Sequence, residues 1–290
     1  MMKRALFVVV LLPLVVNACG QGSSSKKEYA VTDHKVQKSS PEHNPDGKTI
    51  RERFYPPEGY KRILKDTTSF AHYLSTLPLK PAGTFVTYSD GRVKSNRNIY
   101  DAVIDLHIGK RDLHQCADAV IRLRAEYLYQ AKKFDSIYFN FTNGFKADYV
   151  SWKQGNRIIV NGNQVSWKLS SQASDSYQSF WKFLETVFSY AGTASLEKEL
   201  KPISVEEMQI GDVFIKGGFP GHAVIIVDMA IHSETKEKLF LLAQSYMPAQ
   251  EIQVLKNPNC LELSPWYSID IGNSIITPEW KFKKEHLKRF

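Results

Sequence analysis

The side chains in this sequence that could do covalent chemistry are its cysteines, Cys19, Cys116 and Cys260, taken together with its eight histidines. A cysteine attacks as its thiolate, so a nucleophilic one needs a helix N-terminus or a nearby imidazole to favour the charged form. Cys116 has such a position in prospect. Asp112-Leu113-His114-Gln115 reads as a helix start, with Asp112 as N-cap and Gln115 able to reach back to the cap. Cys116 is then the fourth helical residue, close to free backbone N–H groups that could hold an oxyanion. His222 follows Gly217-Gly218-Phe219-Pro220-Gly221 and opens an apolar run, which places its ring at the edge of a sheet. Gln244 closes the next apolar run and could orient that ring, the third role in a nucleophile–base–orienter set. Whether Gln244 shares a face with His222 depends on register, since one residue of slip reverses every side chain.

The elements that must position these groups follow from pattern. Asp112 to Gln130 is helical, with Cys116, Val120, Leu123 and Tyr127 on one face. Gly211–Ile215, His222–Asp228 and Leu239–Gln244 form an antiparallel meander with a turn near Ser233–Lys236. Ser69–Leu77 and Asp175–Tyr190 are helical, the latter stopped by Gly192, and a short helix begins near Thr193. Gly83–Tyr88, Asp135–Asn140 and Arg157–Val160 are strand-like, and Ser89–Arg92 is a hairpin turn. The fold class is α+β. Asp228 shares a strand with His222 but is far along it, and reads as structural; His114 points away from Cys116 on the helix.

The N-terminus reads as an export signal. Lys3 and Arg4 precede an apolar run, Ala5–Val16, too short to span a bilayer as an ordinary helix, and a small-residue site follows. Val16-Asn17-Ala18-Cys19 resembles a lipobox, which makes residues 1–18 a signal peptide and Cys19 the site of lipidation. Residues 19–50 are polar and read as a flexible tether, leaving 51–290 as one domain with an extension at 51–111 and a core at 112–290. The expected location is the cell envelope, anchored to the membrane through lipid. Removing the two leader cations takes the formal charge from +8 to +6. That excess reads first as a solvated surface, with the run from Lys281 to Phe290 as a patch for anionic lipid or an anionic envelope polymer. Nucleic acid is not an expected partner. The histidines are scattered without His-x-x-x-His or Cys-x-x-Cys spacing, and no Gly-rich phosphate loop occurs, so no metal or cofactor is expected.

Helix-borne Cys116, the Gly211-Asp212 strand start, Gly221-His222 and Gln244 together resemble the NlpC/P60 and CHAP layout of papain-like enzymes. The resemblance implies a helix packed on an antiparallel sheet, with Cys116 as nucleophile, His222 as base and Gln244 as orienting residue. It also implies cysteine peptidase or amidase activity on peptides such as those of peptidoglycan. The Asp-Cys-Ser/Gly signature of those families is here Gln115-Cys116-Ala117-Asp118, and the gap from Cys116 to Gly211 is longer than theirs. Four further stretches are similar to an uncharacterised lipoprotein family of Bacteroidetes, DUF4846. They are Gln115–Ala119, Arg122–Tyr127, Pro220–Ala223 and Ala243–Gln250. The alternative to an enzyme is a non-catalytic surface module that binds a glycan, a peptide or a partner protein. Cys116 would then be a buried apolar group or one half of a disulfide with Cys260.

Overall fold

The computed structural model describes residues 42–290, so the expected signal peptide, Cys19 and most of the tether lie outside the described residues. Residues 42–50, expected as the end of the tether, are instead packed: His43 bridges Phe54 and Ile50 is fully buried. The Glu52 carboxylate accepts from the N–H groups of Lys48 and Thr49 at 3.0 and 3.1 Å, which starts helix α1 (Ile50–Arg53). Strand β1 (Tyr60–Arg62) follows, then helix α2 (Phe70–Ser75), capped by Ser69 Oγ accepting from His72 N–H at 3.1 Å. The strand expected over Gly83–Tyr88 does not form. The turn does, with Tyr88 N–H donating to Arg92 at 2.8 Å. Its arms are held by isolated bridges and by Glu251, whose carboxylate takes the Thr87 N–H at 2.9 Å in place of a neighbouring strand.

Strand β2 (Tyr100–Val103) precedes helix α3 (Cys116–Gln130). Next come the hairpin of β3 (Tyr138–Asn140) and β4 (Lys146–Asp148), helix α4 (Tyr149–Lys153), and the hairpin of β5 (Asn156–Asn161) and β6 (Gln164–Leu169). Tyr149, Trp152, Phe139 and Phe141 of this aromatic-rich stretch are buried. Tyr149 and Trp152 meet Phe183 of helix α5 (Tyr177–Tyr190) and belong to the core. Extended backbone at Ala191, not a left-handed glycine, ends α5; Gly192 instead opens helix α6 (Thr193–Glu199), its N–H donating to Ser195 Oγ at 3.1 Å.

The remaining strands are β7 (Lys201–Pro202), β8 (Val213–Lys216), β9 (His222–His232), β10 (Lys238–Gln244), β11 (Gln253–Leu255), β12 (Tyr267–Ser268), β13 (Ser274–Ile276), β14 (Lys281–Lys283) and β15 (Leu287–Arg289). The expected meander is present: β8, β9 and β10 pair consecutively and antiparallel at the centre of a nine-stranded sheet ordered β2-β11-β10-β9-β8-β15-β7. Strand β1 joins the far end of β9, and β12 pairs with the start of β10. The class is therefore α+β with a large antiparallel sheet. Strand β9 is buried without a break from His222 to Ala230, which explains why its sequence is continuously apolar rather than alternating. Helices α1, α2 and α3 pack on it. Asp228, the one carboxylate inside β9, is neutralised by Arg62 of β1 at 2.7 Å, the structural role expected of it. Among the described residues no helix is long and apolar enough to cross a membrane.

Candidate active site

Cys116 is the first residue of α3, not its fourth. The expected cap, Asp112, is committed elsewhere: its Oδ1 accepts from Ala249 N–H at 2.6 Å and from Gln115 Nε2 at 3.3 Å. Gln115 is the N-cap, and Asp118 three residues on accepts the Gln115 N–H at 3.0 Å. The shift brings the sulfur to the turn where helical N–H groups lack intrahelical partners. It also brings in Asp118. Its Oδ2 serves the cap, while its Oδ1 is buried with no partner.

His222 begins β9 and is 1% exposed, so it is not at an open sheet edge as expected. Three rings enclose it: Tyr246 at 4.7 Å, Trp280 at 5.3 Å and Phe282 at 5.8 Å between centroids. The loop before it owes its course to two glycines. Gly218 has φ +105°, a conformation that costs other residues strain. At Gly221 a Cβ would fall inside contact distance of Thr193 Oγ1 and of the Gly218 and Lys216 carbonyl oxygens. Gly221→Ala is accordingly expected to destabilise the fold by about 1–3 kcal/mol and to move His222. Thermal unfolding together with the NMR shift of the His222 ring checks it.

The third member arrives through a β-bulge. From Lys238 to Leu241 the two strands pair in one register, ending at Leu241 opposite Asp228. Continued unchanged, that register would set Gln244 opposite Ile225, on the face away from His222. Instead Leu242 pairs with Ile226 and Ala243 with Ile225, so Val227 is the extra residue. Gln244 now follows opposite Val224, on the His222 face, and Gln244 Oε1 lies 2.8 Å from His222 Nε2. The amide oxygen only accepts, so Nε2 carries the proton and Nδ1 keeps its lone pair. On its other side Gln244 Nε2 donates to Glu279 Oε2 at 2.6 Å, and Lys94 Nζ donates to the same oxygen at 2.9 Å.

Cys116 and His222 line one cavity of about 420 Å³, with Asp112, Asp118, Phe188, Thr193, Tyr246 and Trp280 among its walls. Phe219, 97% exposed, and Met247, 57% exposed, form its apolar rim. Among the described residues no lysine or arginine lines it. No hydrogen bond joins the sulfur to the imidazole among the described residues; what they share is the cavity. Burial sets the charge state. It pushes the His222 pKa down to about 4, against the Gln244 hydrogen bond and helped by Lys94. It pushes the Cys116 thiol up to about 11, aided by the Asp118 charge and opposed by the backbone N–H groups of Ala117, Ala223 and Cys116 itself. Asp118 is held well above the usual carboxylate range by its own burial. The resting site is therefore a neutral thiol and a neutral imidazole beside a carboxyl whose pKa burial raises, not the activated thiolate that a helix start alone would give.

Of the other candidates, Gly211-Asp212 lies in the turn before β8, and Asp212 pairs with Arg289 at 2.7 Å, away from the cavity. His114 is wholly buried against Phe188 and outside the cavity lining. Cys260 is free and lines a different cavity, so the disulfide to Cys116 is not formed. Among the described residues no group of three or more His, Cys, Asp or Glu side chains is placed to hold a metal ion. Sequence reasoning did not find Lys94, Glu279 or Trp280. Each sits in an irregular segment or a turn, and only the tertiary fold brings them to His222.

No curated protein and no solved structure gives a significant match to the chain. Of the two resemblances read from the sequence, the one to the uncharacterised family is shown. Residues 50–289, which contain every element from α1 to β15, match the domain of unknown function 4846, and the chain belongs to that family.

Proposed function

We propose that this protein is a thiol-dependent amidase or peptidase with a papain-like arrangement, Cys116 as nucleophile, His222 as base and Gln244 as orienting residue. The observation that carries the reading is the His222 Nε2–Gln244 Oε1 hydrogen bond of 2.8 Å, with His222 lining the same cavity as a helix-first cysteine. The hydrogen bond leaves Nδ1 as the proton acceptor. As the sulfur attacks the carbonyl carbon, the imidazole takes the thiol proton, and N–H groups at the start of α3 receive the negative charge on oxygen. The C–N bond then breaks as the imidazolium returns its proton to the leaving amine. A water molecule, giving its proton to the same nitrogen, hydrolyses the thioester and restores the thiol.

With no lysine or arginine among the described lining residues, two aspartates in the walls and an apolar rim at Phe219 and Met247, the site disfavours acidic residues beside the scissile bond and suits apolar ones. Peptides of the cell wall with that character are the proposed substrates. The proposal includes lipidation at Cys19, which would hold the enzyme in the cell envelope near them. The N-acetyl-phenylalanine p-nitrophenyl ester tests the reading. Wild-type protein should release p-nitrophenol catalytically and Cys116→Ala should not; equal rates from the two would refute it. The thiol pKa of about 11 favours a second reading, in which the same cavity is a non-catalytic cleft for an apolar peptide segment. Saturable binding of a neutral peptide with no turnover in the wild type would select it.

A further inference from the structure

We propose that Glu279, anchored by Lys94, is a positioning residue that sets the tautomer of His222 by fixing which way the Gln244 amide points. The inference rests on His222 being the base, but its readout does not depend on catalysis.

The chain of contacts is short and buried. Gln244 and His222 are each 1% exposed, and the Lys94 and Glu279 side chains are 4% and 18% exposed. An amide has two ends of nearly the same shape and opposite hydrogen-bonding character. Left alone beside an imidazole, Gln244 could present its oxygen and require Nε2–H, or present its NH₂ and require a bare Nε2 with the proton on Nδ1. Only the first leaves Nδ1 free to accept a proton, so the direction of one amide decides whether the ring can act as the base.

Glu279 removes the ambiguity. Its Oε2 takes both Gln244 Nε2 at 2.6 Å and Lys94 Nζ at 2.9 Å. A carboxylate only accepts, so Gln244 must turn its NH₂ toward it and its oxygen toward the ring. The Lys94 ammonium only donates, so whatever stands at 279 must keep an acceptor at that oxygen. Lys94 lies against the same ring system, its Nζ 5.7 Å from the Tyr246 centroid, and Tyr246 covers His222. The β13–β14 hairpin carries Glu279 and Trp280 in its turn, so one element supplies both the polar lock and a wall of the imidazole.

The argument distinguishes two variants of nearly equal size. In Glu279→Gln, Lys94 still demands an acceptor, so the new amide keeps its oxygen where Oε2 was and the Nε2–H tautomer persists. In Glu279→Gln with Lys94→Met that demand is gone and no charge is left unpaired. The new amide can present either end to Gln244, and His222 becomes a mixture of tautomers.

Long-range ¹H–¹⁵N correlation of histidine-labelled protein at neutral pH reads this directly, with His222→Ala assigning the signal. The expected result is Nε2–H alone in the wild type and in Glu279→Gln, and substantial Nδ1–H in the double variant. In the double variant kcat for the p-nitrophenyl ester should fall in proportion to the lost Nε2–H population, with KM unchanged. A double variant that stays wholly Nε2–H overturns the proposal. So does an Nδ1–H signal in Glu279→Gln alone, which decides the matter even should the double variant not fold. Tautomers that behave as expected in a protein without esterase activity would leave the relay standing and remove the hydrolase reading instead.

Discussion

Carboxamidomethylation of Cys116 by iodoacetamide is expected to be slow at pH 7 and to climb about tenfold per pH unit, roughly 10³-fold by pH 10. Only the thiolate reacts, and burial with the Asp118 charge holds the thiol up to about 11. His222→Ala should leave this profile nearly unchanged, because an imidazole pushed down to about 4 carries no charge with which to stabilise the thiolate. Asp118→Asn should move the profile to lower pH. Asparagine keeps an acceptor for the Gln115 N–H and removes the negative charge that helps to raise the thiol. Peptide mapping separates Cys116 from Cys260, which lines another cavity. A rate that levels off below pH 8 and collapses in His222→Ala would show a thiolate–imidazolium pair and contradict this account of the resting site.

The second large effect is on stability. His222 and His114 are both neutral in the folded protein, their pKa values pushed down by burial to about 4 and about 3. Unfolded, each takes a proton near pH 6.5. Because the folded values are the lower ones, the unfolded state binds more protons as pH falls below 6.5. Each histidine's contribution is complete above that pH and is lost on the way down toward its folded pKa. By pH 5 the loss is about 2 kcal/mol per histidine, about 4 kcal/mol for the pair. Glu199, pushed up to about 7, and Asp228, pushed up to about 6, have the opposite sign and stabilise the fold as pH falls. The measurement is therefore a difference. Urea unfolding at pH 7.5 and pH 5 should show wild type losing about 4 kcal/mol relative to the His114→Gln/His222→Gln variant, in which the carboxylate contributions cancel. Parallel pH dependence in the two proteins would mean that the histidines are not buried in their neutral form.

The parts of the fold legible in the sequence were those with a period or a punctuation mark. The apolar runs of β8, β9 and β10 announced a meander, and the spacing of Val120 and Leu123 announced α3. The candidate residues were legible as a set because His222 opens and Gln244 closes an expected strand, and Cys116 falls in the first turn of an expected helix. What was not legible is instructive. The start of α3 was misplaced because an N-cap signal at Asp112 competes with a tertiary hydrogen bond to Ala249, about which local pattern carries no information. The register that joins Gln244 to His222 hangs on one bulged residue, Val227, in a run of apolar residues with nothing to mark it. The direction of the thiol shift was left open by the sequence for a related reason. A helix start favours a thiolate, but how deeply the sulfur is covered, and that the Asp118 charge acts on it, are properties of the packed molecule. Lys94 and Glu279 complete the relay from opposite ends of the domain.

The central claim is that Cys116 forms a covalent acyl intermediate that His222 resolves. It is tested most directly by mass spectrometry of the protein after brief exposure to N-acetyl-phenylalanine p-nitrophenyl ester. The account predicts a single acyl adduct, mapped to Cys116, that turns over in the wild type. In His222→Ala both steps lose their general base, so the adduct should need prolonged exposure to accumulate and, once formed and freed of excess ester, should hydrolyse about 10²–10⁴-fold more slowly than in the wild type. Acylation elsewhere on the folded protein, or an adduct on Cys116 that hydrolyses as fast without His222 as with it, would contradict it.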